Sequence, residues 1–406
     1  MTVINYLVML VITRKSENMK IVHICLGAFY PDNYSYQENM LPKFHKQQGH
    51  DVEVIASLET FDENGKTSFY PSPKVYQNEY GIKVTRLAFR KPSRIYKKFK
   101  RYVGLYQALV LAKPDILFIH NCQFLDIDVI CKYLRKNPIK SVYVDNHADF
   151  SNSATNCVSR VFLHGYVWKK CAKKIEPFTK KFYGVLPARV DFLKNVYDLP
   201  AEKCELLVMG ADDDLVEASE NDRSIYELRK LYNIDSDDFL IITGGKIDSF
   251  KTQTLLLMDA VKKINDDKVK LLVFGSVTKE LKAQVKERVD GRKIQYIGWI
   301  AAKESYKYFA ASDLVVFPGR HSVFWEQVAA QGIPMICKYW EGTTHVDIGG
   351  NVLFLKTDSV NEIYTLIKWL LDNPTEYKKM KEAAVNKGKE TFLYSSIALR
   401  AIEGQK

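Results

Sequence analysis

Three short stretches hold residues whose types and spacing suit the handling of a phosphorylated ligand. The segment GGKIDSFK sets Lys246 and Lys251 five residues apart, behind a glycine pair. Two cations at the carboxyl end of a strand offset the charge of a diphosphate in a sheet crevice. As mere solvated lysines at a helix start they would oppose the helix dipole. The segment VVFPGRHSVFWEQVAAQGIPMI reads as strand, loop, helix, glycine stop and strand. Gly319, Arg320, His321 and Ser322 fall in its loop, so the helix that follows presents free N–H groups to an anion. Glu326 and Gln327 stand about one turn in, within reach of ribose hydroxyls. The third stretch, IVHICLG, ends at Gly27, where the missing side chain lets backbone N–H groups approach a phosphate or a sugar.

A fourth stretch has a different chemistry. Residues 90–101, RKPSRIYKKFKR, contain seven cations and no acid. At helical spacing Ile95, Phe99, Tyr102, Val103 and Tyr106 share one face, and Arg94, Lys97, Lys98 and Arg101 the other. A basic amphipathic helix of this kind lies on anionic membranes. An ordinary sheet-flanking helix with a solvated basic side has the same pattern.

Short apolar β-rich runs alternate with amphipathic stretches along the chain, which predicts βα units and parallel sheets. In the first half the strands are expected at 20–26, 52–57, 82–88, 116–120, 141–146 and 204–209. In the second they are expected at 239–243, 270–274, 294–297, 314–317, 334–339 and 352–355. Residues 211–222, ADDDLVEASEND, have the acidic composition of a solvated linker. The expected organisation is therefore an extension over 1–18, one Rossmann-like domain over 19–210, the linker, and a second such domain over 223–388. A helix over 389–406 is expected to return to the first domain.

With 406 residues the chain exceeds a single core. Hydrophobic content of 47% and charged content of 26% exclude disordered and collagen-like classes. The net charge of +11 points to an anionic partner. No RNP-like, helix-turn-helix or finger pattern supports nucleic acid as that partner. Seven scattered cysteines without a CxxC pair read as free thiols of a reducing cytoplasm. The apolar run Val3–Thr13 is about half the roughly 20 residues that span a bilayer. Its charges, Arg14 and Lys15, follow the run rather than precede it, unlike a secretory signal.

At these residues the chain resembles the retaining family-4 glycosyltransferases of the GT-B fold. The resemblance runs from Met19 onward, through Gly27, Gly49-His50-Asp51-Val52, Lys113-Pro114-Asp115 and Gly210-Ala211-Asp212. It continues through the lysine pair, the Gly298-Trp299 turn, and the Glu-bearing helix closed by Gly332 and Pro334. It implies that Lys246 and Lys251 neutralise a donor diphosphate, with Lys246 in place of the usual arginine. It implies that backbone at Gly298 and Trp299 holds the base, and that amides of His321, Ser322 and Val323 meet the β-phosphate. His147 matches the histidine that faces the transferred sugar. Gly27 and Gly210 match turns on the donor side.

One departure stands out. The family pairs two glutamates separated by seven residues, and here Pro318 and Gly319 occupy the two positions available for the first. The second corresponds to Gln327 in an ungapped match, or to Glu326 if the helix absorbs one residue as a π-bulge. The resemblance implies transfer of a sugar from a UDP-sugar-like co-substrate, with retention and without cofactor or metal. The acceptor is expected to be a glycan or a lipid-linked species of bacterial surface-polysaccharide synthesis. The expected location is the cytoplasm, at the inner face of the membrane. Two rival readings stand beside it: a GT-B sugar-nucleotide epimerase and a non-catalytic nucleotide-sugar-binding subunit.

Overall fold

A computed structural model describes residues 18–62, 66–91, 99–249 and 251–403. Among the described residues, ten strands belong to the first half: β1 (Lys20–Cys25), β2 (Asp51–Ser57), β3 (Glu59–Phe61), β4 (Thr67–Phe69), β5 (Lys74–Gln77), β6 (Lys83–Leu87), β7 (Ile116–His120), β8 (Ser141–Asn146), β9 (Thr179–Gly184) and β10 (Cys204–Leu206). Eight of them form one sheet in the order β10-β9-β8-β7-β1-β2-β6-β5, and β3 pairs with β4 as a separate ribbon. β1 lies parallel to β2 and β7, with Ile21 opposite Val52 and Ile116. Every residue of β7 is buried, as expected where helices cover both faces of a parallel sheet. The sequence pattern predicts six strands in this half. β5 escaped because it is an antiparallel edge strand with an alternating, half-exposed pattern. β9 escaped because its first residues, Thr179-Lys180-Lys181, are polar.

The second half forms β11 (Phe239–Gly244), β12 (Val269–Phe274), β13 (Ile294–Gly298), β14 (Leu314–Phe317), β15 (Met335–Lys338) and β16 (Val352–Leu355). They make a parallel sheet in the order β13-β12-β11-β14-β15-β16. Ile241, Leu271, Val273 and Ile336 from the sheet pack with Val261 and Ile367 from helices Gln253–Lys263 and Val360–Asp372. Each such side chain contributes roughly 1.5–3 kcal/mol on burial. The order reverses between β11 and β14, as it does between β1 and β7 in the first sheet. At such a reversal adjacent strands send their loops in opposite directions, which opens a crevice at their carboxyl ends. The architecture is thus two Rossmann-like sheets, the first with an antiparallel edge strand β5, each with one switch point.

The chain divides into two compact units. One comprises the residues up to Asn146 together with Ala154–Phe182 and Val196–Lys203; the other comprises His147–Ser153, Tyr183–Asn195 and the chain from Cys204 onward. Residues 211–222, expected as a linker, instead hold the helix Asp213–Ser219, whose N-cap Asp212 accepts from the Asp214 amide. Its acidic first turn favours a helix start, a signal that composition alone read as solvation. The helix Tyr394–Glu403, expected to return to the domain over 19–210, lies against residues of that range: the Arg400 carbonyl accepts from the Tyr183 hydroxyl at 3.4 Å, and Ile397 stands over Gly210. All of these residues group in the second unit. Ala211 donates to the Phe392 carbonyl and accepts from the Tyr394 amide at the start of that helix.

The basic stretch also differs from expectation. Arg94, Lys97 and Lys98 lie outside the described residues. After them no helix continues through 100–104: Lys100 adopts φ 52°, Tyr102 bridges Phe89, and a helix begins only at Leu105. Among the described residues, no helix is long and apolar enough to cross a membrane.

Candidate nucleotide-sugar site

The second unit brings its predicted cations together at the switch point. The loop after β11 carries Lys246 and Lys251, and the loop after β14 carries Arg320. The Lys246 ammonium is exposed and pairs with Asp248 at 3.2 Å. Lys251 lies against Gly319, where an added Cβ would stand 3.8 Å from its Cγ. Burial holds the Lys251 ammonium below its ordinary range, against the pull of Asp248, and the charges of Arg320 and Lys246 push it the same way. The partly buried Lys251 is repelled by the exposed cations Lys246 and Arg320, and an anion placed among them relieves that repulsion.

Glycines shape the carboxyl edge beside these cations. A Cβ on Gly275, after β12, would stand 1.8 Å from the Gly245 carbonyl oxygen. Gly275 donates to the Gly298 carbonyl at 2.7 Å. Gly298 has φ 82°, and Trp299 beside it is 73% exposed. Gly275 carries no motif in the sequence, and Gly245 enters there only as half of the glycine pair before Lys246. A glycine at three successive strand ends was the available signal. Gly210 has a packing role of its own, since a Cβ there would meet the Phe392 carbonyl oxygen at 2.3 Å.

Helix Phe324–Ala330 follows the β14 loop, with Trp325 bonded back to Ser322 and Gln327 to Val323. It is a regular α-helix, so the bulge that would bring Glu326 into the family register is not made. Glu326 is fully buried, and its Oε1 lies 2.9 Å from His321 Nε2 and 2.8 Å from His345 Nε2. Burial opposes its charge, but the His321 charge and the hydrogen bonds from both imidazoles hold its carboxyl at about 2. Gln327 is buried as well, and its Oε1 has no hydrogen-bond partner. His345 was missed, because nothing in the spacing ties it to Glu326. The three side chains offer ligand atoms within 4.8 Å of one another. The two N···O separations are those of charge-assisted hydrogen bonds, which satisfy Oε1 without an ion.

A cavity of ≈ 530 Å³ opens next to this cluster, lined by Asp149, Arg189, Arg320, His321, Trp340 and Glu341 among others. Asp149 is held by Arg189 at 3.0 Å. His147 stands at the start of the Asp149 loop, half-buried, with its carbonyl accepting from Asn152.

The first unit has its own arrangement at the β1/β7 switch point. A Cβ on Gly27 would stand 2.1 Å from the Asn121 carbonyl oxygen, so only glycine lets these loops meet. The Asn121 amide donates to Asp145 Oδ1, and Asp145 Oδ2 lies 2.6 Å from His120 Nδ1. His120 Nε2 lies 3.0 Å from His23 Nδ1, and His23 Nε2 lies 3.0 Å from His45 Nδ1. All four side chains are fully buried. With Asp145 ionised, His120 donates from Nδ1, and each following ring must then donate from Nδ1 as well. Burial, with His45 and His120 alongside, pushes His23 well below its ordinary range. In the same unit Arg101, expected on the membrane-facing basic side of a helix, pairs with Asp126 at 2.9 Å and Asp128 at 3.1 Å.

Residues 224–387 match the family model described as glycosyl transferases group 1. No curated protein matches the chain in sequence. Among solved structures, Anabaena HepE in complex with UDP is 14% identical with a TM-score of 0.64, over 95% of this chain and 99% of that one. A glycosyltransferase from Rickettsia africae is 13% identical with a TM-score of 0.67, over 96% and 98%. The UDP-GlcNAc 2-epimerase of Neisseria meningitidis, bound to UDP-GlcNAc, is 12% identical with a TM-score of 0.61, over 95% and 100%. The fold is therefore GT-B, and with the matched domain over 224–387 it supports a GT-B glycosyltransferase.

Proposed function

We propose that the protein transfers a sugar from a nucleoside-diphosphate sugar, most simply a UDP-sugar, to a glycan or lipid-linked acceptor of surface-polysaccharide synthesis. The observation that carries this reading is the group of three cations at the β11/β14 switch point, Lys246, Lys251 and Arg320, with Lys251 held below its ordinary range. In the transfer the bond between the sugar's anomeric carbon and the diphosphate breaks, and the acceptor oxygen takes its place and loses its proton. The departing diphosphate gathers negative charge, which fixed cations and backbone N–H groups of His321, Ser322 and Val323 stabilise without reorganisation. Protein charge then replaces a divalent ion, and the reaction needs no metal. Backbone at Gly298 and Trp299 would hold the base. His147 faces the transferred sugar in this reading, and retention follows the family resemblance. Because Glu326 is engaged by two histidines, Gln327 is the better candidate for the ribose.

The test is nucleotide affinity. Loss of a charge-assisted hydrogen bond costs on the order of 1.5–3 kcal/mol, so Lys251→Ala should weaken UDP binding at least tenfold with the fold intact. Unchanged UDP affinity in both Lys246→Ala and Lys251→Ala would exclude the site. One observation favours a second reading, a sugar-nucleotide epimerase: the carboxylates of Asp149 and Glu341 both line the cavity, and epimerisation needs acid and base groups on the sugar. Incubation with UDP-sugars and analysis of the recovered donor for its epimer decides between the two.

A further inference from the structure

The first unit exposes an apolar helical surface next to a cationic one. Residues Ser159–Trp168 form a π-helix that runs directly into the α-helix Lys169–Ile175. Its inner side is anchored: His164 and Trp168 are buried, and His164 Nδ1 lies 3.0 Å from the Tyr197 hydroxyl. Its outer side is not covered among the described residues. Val158 is 69% exposed, Val161 64%, Phe162 53% and Tyr166 60%. Surface apolar residues occurring singly need no explanation, but four within nine positions of one helix form a patch.

The same line changes character toward its carboxyl end. Val158, Phe162, Tyr166, Lys170 and Lys174 recur every four residues, a spacing that keeps side chains on one side of a helix. Lys170, Lys173 and Lys174 are exposed. Lys169 and Lys173 reach Asp198, at 3.8 and 3.0 Å, and Lys170 stands 5.8 Å from the centre of the Tyr166 ring. Beside the helix lies a groove of ≈ 280 Å³ lined by Phe99, Leu125, Tyr166 and Val167, with Lys170 and Lys174. A partner for this surface must accept aliphatic and aromatic side chains at one end and supply anions at the other. A second copy of the chain would set lysine against lysine. Nucleic acid would leave Val158, Val161 and Phe162 without an apolar counterpart.

We infer that Val158–Lys174 is the face by which the protein sits on an anionic phospholipid surface, with Val161, Phe162 and Tyr166 among the acyl chains and Lys170 and Lys174 at the phosphates. This deepens the lipid-linked-acceptor part of the proposed function and moves it from the 94–101 stretch to another element.

The test is co-sedimentation with equimolar phosphatidylcholine–phosphatidylglycerol vesicles, against phosphatidylcholine alone. Wild-type protein should bind the anionic vesicles and release as salt rises. The double variant Val161→Ser, Phe162→Ser should bind at least tenfold more weakly, since a large buried apolar side chain is lost. Lys170→Gln and Lys174→Gln should each weaken binding about fivefold. These positions are exposed, and retained thermal stabilisation by UDP would show the variants folded. No binding at low salt, or equal binding by the serine variant, overturns the inference. So does a dimer that the serine variant disperses without any vesicle binding. If wild-type protein binds vesicles but not UDP, the transferase reading fails and the membrane face stands.

Discussion

Replacing Glu326 by glutamine removes a buried charge while keeping the side chain's shape. The wild-type carboxyl sits at about 2 against an ordinary 4.5, because His321 and His345 outweigh the burial that opposes it. At about 1.36 kcal/mol per unit, that difference is on the order of 3 kcal/mol of stability. A depressed carboxyl contributes fully above its unfolded value and loses the contribution as pH falls from about 4.5 toward 2. A glutamine contributes none of this titrating part. For a domain of 150–250 residues each kcal/mol moves Tm by roughly 2–4 °C, so Glu326→Gln should melt about 6–12 °C below wild type at pH 7. The gap should hold down to about pH 4.5 and narrow below it. Parallel melting curves across pH 3–7, read by fluorescence and repeated with His345→Gln, supply the comparison. Equal Tm at pH 7, or a gap that does not narrow in acid, would mean that the two imidazoles do not hold this carboxylate.

Other outcomes follow from the same structure. Transfer activity should survive EDTA, because protein cations meet the diphosphate; complete loss restored by Mg²⁺ or Mn²⁺ would show that they do not suffice. Gln327→Ala should lose the preference for a ribonucleotide over its 2′-deoxy analogue, with Glu326→Gln keeping it at a temperature where it is folded; the reverse pattern would return the ribose to Glu326. Asp145→Asn should cost on the order of 1.5–3 kcal/mol, as for a lost charge-assisted hydrogen bond, and should change the imidazole nitrogen NMR signals of His120, His23 and His45 together. A change confined to His120 would mean that the three rings do not share one tautomer.

The composition of local segments was enough to place twelve strands, two parallel sheets and the site loops, because each depends on short-range signals. Apolar runs flanked by glycine mark buried strands, and the Lys246–Lys251 spacing is fixed by one loop. The edge strand β5 and the polar-headed β9 were invisible for the converse reason, that neither has a continuous apolar run. What the sequence could not settle were pairings between residues distant along the chain. Glu326 reads as a ligand-facing carboxylate until the fold brings His345, nineteen positions on, against its oxygen. Arg101 reads as one of a row of cations on the membrane-facing side of a basic helix. Only the tertiary structure sets it on Asp126 and Asp128, with Tyr102 donating to the Leu26 carbonyl and breaking the helical pattern that its neighbours suggest. Asp145, His120, His23 and His45 come from three strands and a helix, and no periodicity links them. Periodicity records which face a segment buries; hydrogen bonds between buried polar groups depend on which segments meet, and that is decided when the sheet order forms.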